Sequence, residues 1–279
     1  MKESLTANGL NLNPASGWCW VEDLNPLLSA PGRRGANVIV PGRHGTIRTP
    51  NKHYTDADLV IPMWVLGVDR DTGRAPADTY GQLHANIDAL FKAFSTPTVT
   101  LLRDRGDGYI RQAIAEPMLE PVVLERHKSA PAAARVSVAV NLFGAFWEDQ
   151  SPVTQVIEGP SGSRHELTEF AAATAPMHEL TLTFLGAQNN PQLELGDTSV
   201  SFGATLTPGQ QLVLNTANWT VSPGTGAAWA PDLRQVEFSP GPVWFSIDPS
   251  QTPLTVRYTH TGGGEATCAI SGRRKYISA

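Results

Sequence analysis

The chain has 279 residues, 41% hydrophobic and 17% charged, a composition that excludes a disordered chain and a coiled coil. Its formal net charge of -5 argues against a dedicated nucleic-acid binder. The 25 glycines and 22 prolines, separated by short runs of valine, threonine and aromatic residues, predict many short strands joined by tight turns.

Length and charge distribution predict two domains, residues 1–150 and residues 151–279. The first range holds 15 of the 21 lysines and arginines and 16 of the 26 acidic residues, so the second range is much poorer in charge. Residues 148–178 have little to bury on any one face, and we expect the domains to join there. No long apolar run and no secretion signal is found, which predicts folding in a cytoplasm without membrane contact.

Two strands are predicted early in the chain. Residues 17–23 predict the first, with Trp18 and Trp20 on one side of it, in the core. The apolar run 58–67 is too short for an ordinary helix. It predicts a strand that is either buried on both faces or broken at Pro62.

One helix is predicted, over residues 79–95. Thr79 and Gln82 have the spacing of a capping box, and Pro97 follows the last turn. The helix has one apolar face, made of Leu83, Ile87, Leu90, Phe91 and Phe94.

A β-hairpin is predicted near residues 98–115, with glycine and aspartate in its turn. Alternating residues from Val136 to Leu142 predict a half-buried strand. Later strands, spaced by turns, predict an antiparallel β-sandwich in the second domain. They are residues 180–184, 193–195, 211–214, 236–238, 243–247 and 254–258. The predicted fold class is therefore mainly β with one helix, an α+β N-terminal domain followed by a sandwich.

No spacing of residues indicates catalysis or a cofactor, so we expect no enzyme activity and no bound metal. Asp69, Asp71 and Gly73 look like the start of a calcium loop, but Tyr80 stands where its glutamate would be, which favours a solvated turn. Cys19 and Cys268 are interpreted as two buried free thiols, with a disulfide between them as the alternative.

A basic segment lies between Asp23 and Asp56, where no acidic residue occurs. It predicts either a contact with an acidic partner or a phosphate backbone, or a solvated loop without a partner. Its candidate contact residues are Arg33, Arg34, Arg43, His44, Arg48 and Lys52.

The seven tryptophans divide into two groups. Trp219 and Trp229 have loose surroundings and are the candidates for a glycan contact. The other five occupy apolar strand contexts that predict core positions, namely Trp18, Trp20, Trp64, Trp147 and Trp244.

Taken in order, these features resemble the distal tail proteins of bacterial viruses with long non-contractile tails. The N-terminal part of the resemblance consists of residues 34–46, the apolar strand, the helix and the hairpin. The C-terminal part consists of Asn189–Pro191, the turn at 238–241 and Arg273–Tyr276.

The resemblance implies a structural virion protein, assembled in the host cytoplasm, whose residues 1–150 close into a hexameric ring around the tail channel. It also implies that the ring joins the tail tube to the tip hub, with DNA only passing through it. Residues 151–279 would be a galectin-like domain, which in this family docks receptor-binding proteins or, in some members, binds sugar. The sequence leaves two other functions open. One is a carbohydrate-binding module without catalytic activity, and the other is a glycan hydrolase, for which no carboxylate pair stands out.

Overall fold

The computed structural model describes residues 3–34, 38–39, 46–47, 53–106, 108–118, 121–128, 131–196, 198–224, 236–239, 245–262 and 266–279. The chain divides into two compact units. Unit 1 contains residues 1–148 and 277–279, and unit 2 contains residues 149–276. The described part is mainly β with one α-helix and antiparallel strand pairs, so the predicted fold class is confirmed.

Among the described strands of unit 1, three have eight or more residues and the others have six or fewer. They are β1 Ser4–Ala7, β2 Leu10–Asn11, β3 Cys19–Val21, β4 Arg33–Arg34, β5 Val38–Ile39, β6 Thr46–Ile47, β7 His53–Tyr54, β8 Ala57–Leu66, β9 Val99–Asp104, β10 Ile110–Pro117, β11 Val122–His127 and β12 Ala133–Leu142. A further strand, β13 Trp147–Asp149, spans the division between the units. The main sheet has the order β2-β1-β9-β10-β12-β8-β3, and β11 also pairs with β12.

Strand β8 is continuous and buries one face only. Its buried side chains alternate with half-buried or exposed ones, and Val60 is 53% exposed. Both sequence interpretations of this run, burial on both faces and a break at Pro62, are therefore wrong. The carbonyl of Pro62 accepts from the N–H of Glu22, so the proline nitrogen also points toward β3, just beyond its last residue. The long ladder with β12 consequently loses no hydrogen bond at Pro62.

Helix α1, Thr79–Phe94, confirms the predicted helix. Its N-cap is Asp78 and not Thr79, because the Asp78 carboxylate accepts from the N–H of Gly81 at 2.8 Å. The buried face also includes Asn86, which is not among the apolar residues that predict this face. The predicted hairpin is also confirmed, with β9 and β10 paired from Asp104 and Ile110 onward.

Unit 2 is an antiparallel sandwich of two sheets with the orders β14-β24-β16-β20-β21 and β15-β23-β17-β18-β22. Its strands are β14 Val153–Glu158, β15 Ser163–Glu166, β16 Leu180–Leu185, β17 Gln188–Leu195, β18 Thr198–Phe202, β19 Thr205–Leu206, β20 Gln211–Asn215, β21 Thr220–Pro223, β22 Val236–Ser239, β23 Thr255–Thr261, β24 Thr267–Gly272 and β25 Lys275–Tyr276. The sheets share one core to which Phe184, Phe202 and Tyr258 contribute. The units divide at the start of the range 148–178, between Glu148 and Asp149, and the rest of that range contributes the sandwich strands β14 and β15.

The two ends of unit 2 are tied to each other. The Asp149 carboxylate binds the guanidinium of Arg274 and accepts from the Tyr276 hydroxyl at 3.0 Å. The Asp149 N–H also donates to the carbonyl of Arg274 at 3.1 Å. Unit 2 therefore begins and ends at nearly the same place.

Cys19 and Cys268 are free and fully buried, as predicted, and each unit contains one of them. Burial raises the pKa of the Cys19 thiol to about 12 and also raises the pKa of Cys268. Both thiols therefore stay neutral in the folded protein at pH values at which an unfolded chain would ionise them.

Raising the pH is expected to destabilise unit 1 through Cys19. The unfolded thiol ionises near about pH 8.5, whereas the folded one keeps its proton up to about pH 12. The stabilisation linked to the neutral Cys19 thiol is thus fully present below the pKa of the unfolded chain, and it is lost as the pH rises toward the pKa of the folded chain. When the pH is raised from 8 to 10, the free energy of unfolding measured with urea should fall by about 2 kcal/mol more for the natural chain than for Cys19→Ala. Equal losses in the two proteins would contradict the assignment.

Candidate assembly surface

Unit 1 exposes an apolar sheet surface, here called the outer face. Its apolar and aromatic members on β3, β8, β12 and β11 are Trp20, Val60, Pro62, Trp64, Val122, His127 and Ala139, and they share this face with polar residues such as Asp58, Arg135, Ser137 and Asn141.

The register brings the aliphatic members of the outer face together. Val60 lies opposite Ala139, and Ser137 lies between Pro62 and Val122 on the neighbouring strands. Directly opposed residues of antiparallel strands share a face. Val60 is 53% exposed and Val122 is 49% exposed. Exposed aliphatic residues gathered on one sheet face are typical of a protein interaction site.

An aromatic row continues the outer face. The rings of Trp20 and Trp64 are stacked with centroids 6.2 Å apart, and His127 stacks on Trp64 at 5.8 Å. Both tryptophans are half-buried, so the prediction that they are core residues is wrong. Cys19 and Val21 fill the buried side of β3 instead. The prediction is confirmed for Trp18 and Trp147, which are buried, whereas Trp244 lies outside the described residues.

The outer face ends at a strand edge. Among the described strands, β11 pairs with β12 alone, so its other edge carries backbone groups without a strand partner. Leu124 lies at a register shift in this strand and is 55% exposed. A free edge with exposed aliphatic side chains is a template for pairing with another chain.

A groove of about 590 Å³ lies between the end of α1 and the end of β10. Phe91 lines it, which explains why this residue of the predicted apolar helix face is not fully buried. Met118, half exposed at the end of β10, lies on the opposite wall. Unit 1 thus has apolar surface at a second location besides the outer face.

The basic segment doubles back on itself. Arg33 and Arg34 of β4 pair with Tyr54 and His53 of β7, and β5 pairs with β6 further along the segment. The Arg33 guanidinium donates to the Tyr54 hydroxyl at 3.0 Å and lies 5.0 Å from its ring centroid. Tyr54 in turn contacts Phe146 edge-on. Both arginines are exposed, and these contacts hold Arg33 against Tyr54.

The other candidate contacts of the basic segment, Arg43, His44, Arg48 and Lys52, lie outside the described residues. Trp229 does so as well. Trp219 is half-buried in the turn between β20 and β21, with a φ of 55°. The assembly role of the arginines and the glycan role of these two tryptophans therefore stay predictions.

Asp69 uses its carboxylate within its own turn. One oxygen accepts from the Thr72 N–H at 2.8 Å and from the Thr72 hydroxyl at 2.7 Å. These bonds lower the pKa of Asp69. Within the described ranges, no group of three or more histidine, cysteine, aspartate or glutamate residues could hold a metal ion. In the same part of the chain, no helix is long and apolar enough to cross a membrane.

No protein-family model matches the sequence, and no curated protein is significantly similar to it. Solved structures do resemble it. The Dit protein of phage SPP1, described as a paradigm of the hub adsorption apparatus in phages that infect Gram-positive bacteria, superposes with a TM-score of 0.65. The match covers 98% of this chain and 99% of that one, at 10% sequence identity. The phage p2 baseplate in its activated conformation with Sr also matches, with a TM-score of 0.40, 9% identity and 98% coverage of both chains.

The SPP1 match shows that this chain has the fold of that Dit protein over nearly its whole length. The resemblance found in the sequence is thereby confirmed at the level of the fold. The outer face was not predicted from sequence, because Val60 belongs to an apolar run that does not reveal which residues face solvent. The sequence of β11 did contain a partial indication of an exposed strand, because Val122 to Leu124 are followed directly by four polar residues.

Proposed function

We propose that this chain is a structural component of a bacterial virus tail, a distal tail protein. In this role unit 1 associates with further copies into a ring, most simply a hexamer, that joins the tail tube to the tip hub. The protein would be assembled in the host cytoplasm, would reside in the virion tail, and would let DNA pass through the ring without reading it. The proposal requires no catalysis and no cofactor.

The observation that carries the proposal is the match in fold, at nearly full length, to a protein of a phage adsorption hub. The apolar surface of unit 1 supports it independently. In a closed ring each protomer presents two different surfaces, one to each neighbour. Unit 1 has apolar surface both on the outer face and beside the groove, at the ends of α1 and β10.

The basic segment and unit 2 have separate proposed roles. The segment that contains Arg33 and Arg34 would contact a neighbouring subunit or face the channel, since a ring repeats each such segment around its axis. Unit 2 is an antiparallel sandwich, which we interpret as the galectin-like domain implied by the sequence. Its proposed partner is a receptor-binding protein. Glycan binding through Trp219 and Trp229 remains the alternative function.

The substitution Val60→Asp is expected to break the ring. A charge in place of Val60 on the outer face would lose its water when two subunits close over it, which weakens association by about tenfold or more. Val156→Asp is a matched control, because Val156 is also a strand valine, is 55% exposed and belongs to unit 2. Light scattering should give the mass of several 29.9-kDa chains for the natural protein and the control, and a smaller mass for Val60→Asp.

Two outcomes would contradict the proposal. One is a natural protein that stays monomeric at every concentration, both alone and mixed with tail tube protein. The other is a ring that survives Val60→Asp unchanged, which would remove the outer face from the interface. Electron microscopy of the same samples would count the subunits directly.

A further inference from the structure

Two arginines face each other inside the main sheet of unit 1. Arg103 of β9 and Arg111 of β10 are directly opposed in the antiparallel register. Like charges in this position repel each other and destabilise a sheet. Solvent screens the pair poorly, because Arg103 is only 5% exposed. The hairpin therefore needs acceptor groups close to both guanidinium groups.

The acceptors belong to residues far from the hairpin in sequence, namely Glu3, Ser278 and Ala279. The Glu3 carboxylate pairs with Arg103. A backbone oxygen of Ala279 accepts from Nη1 of Arg103 at 2.6 Å, and the carbonyl of Ser278 accepts from Nη1 of Arg111 at 2.6 Å. Hydrogen bonds that involve a charged donor are stronger than neutral ones. Residues 277–279 thus supply an oxygen to each arginine.

Ala279 is also bound to another part of unit 1. Ala279 is 3% exposed, and its N–H donates to the carbonyl of Leu27 at 3.0 Å. Along the chain, however, residues 149–276 separate residues 277–279 from the rest of unit 1. Unit 2 is therefore an insertion within unit 1.

We propose that residues 277–279 act as a latch for unit 1. The latch closes on the opposed arginines, so unit 1 reaches full stability only after the chain has been made through unit 2. Without the latch, both guanidinium groups lose a backbone oxygen acceptor, so the repulsion between them is less compensated. This inference concerns the folding of the single chain and does not depend on ring formation.

The two cysteines allow each unit to be observed separately. Cys19 reports on unit 1 and Cys268 on unit 2, and both are fully buried. Pulses of a thiol reagent, followed by mass spectrometry of the cysteine peptides, measure how often each unit opens. In a chain that ends at Tyr276, labelling of Cys19 should be at least about tenfold faster, equivalent to about 1.4 kcal/mol, while Cys268 stays protected. Unchanged labelling of Cys19, or equal acceleration at both cysteines, overturns the latch.

A second variant separates the latch from a general effect of shortening the chain. Arg111→Met removes one of the two opposed charges. In the full chain it should speed the labelling of Cys19, because a bond to the latch is lost. In the shortened chain it should slow that labelling, because the repulsion is relieved. Arg135→Met, which removes a surface arginine paired with Glu22, is the control and should act equally in both chains. An effect of Arg111→Met with the same sign and size in both chains overturns the proposal.

Discussion

Gly67→Ala lowers the free energy of unfolding of unit 1 by about 3 kcal/mol or more, the upper end of what overpacking costs. A Cβ atom at Gly67 would lie 1.9 Å from the carbonyl oxygen of Thr79 and 3.3 Å from that of Ala132. Both are backbone atoms, so no side-chain rotation relieves the overlap. The Gly67 N–H also donates to the Ala132 carbonyl at 2.7 Å. The start of α1 would therefore have to move away from the end of β8.

Gly144→Ala is the matched control for this substitution. Gly144 also belongs to unit 1, its φ is not positive, and apart from its chain neighbours no atom lies within 4 Å of the place that a Cβ atom would take. We expect a change within about 0.5 kcal/mol, as for an ordinary surface substitution. Urea unfolding followed by tryptophan fluorescence compares the two variants. Similar midpoints for both would show that the helix and strand are not held at the distance described.

Asn86→Leu is expected to cost unit 1 about 3 kcal/mol, although it makes the buried helix face uniformly apolar. Asn86 is fully buried, and its amide nitrogen donates to the carbonyls of Leu66 at 2.7 Å and Val68 at 2.8 Å. Leucine would leave both carbonyls without this donor in the interior, and each such loss costs about 1–3 kcal/mol. The asparagine thus fixes α1 to the end of β8.

The control for Asn86→Leu is Gln82→Leu. Gln82 donates to the Asn86 side chain at 3.0 Å and is only half-buried. Its replacement removes one hydrogen bond but leaves both bonds to the β8 end in place. A loss of less than about 1 kcal/mol is expected, measured in the same urea titrations. If Asn86→Leu cost no more than Gln82→Leu, the two carbonyl bonds would not stabilise the fold.

Patterns with a strong local cause were predictable from the sequence. Apolar spacing of three and four residues gave α1, and the turn at 104–108 gave the hairpin of β9 and β10. Strands β14 and β15 were missed because their half-buried and exposed residues show no clear alternation of polar and apolar types. They are held by their neighbours β24 and β23, which lie about a hundred residues later in the chain.

The candidate surface depends on pairing between distant residues, which one sequence does not reveal. Trp20 and Trp64 suggest core residues when each strand is considered alone, and only the pairing of β3 with β8 places them together on the outer face. The repulsion between Arg103 and Arg111 is likewise visible only once the register is known. The buried role of Asn86 was indicated in the sequence, because this polar residue lies beside Ile87 within the apolar face of the helix.

The closure of unit 2 on itself through Asp149, Arg274 and Tyr276 has a consequence for evolution. A domain whose two ends lie side by side can be exchanged as a cassette without stretching the host fold around it. A foreign module with similarly close ends could be grafted between Glu148 and Ile277, leaving the host with its own final residues. Lineages of such proteins would then diversify by recombination at these two junctions, while the host unit changes slowly.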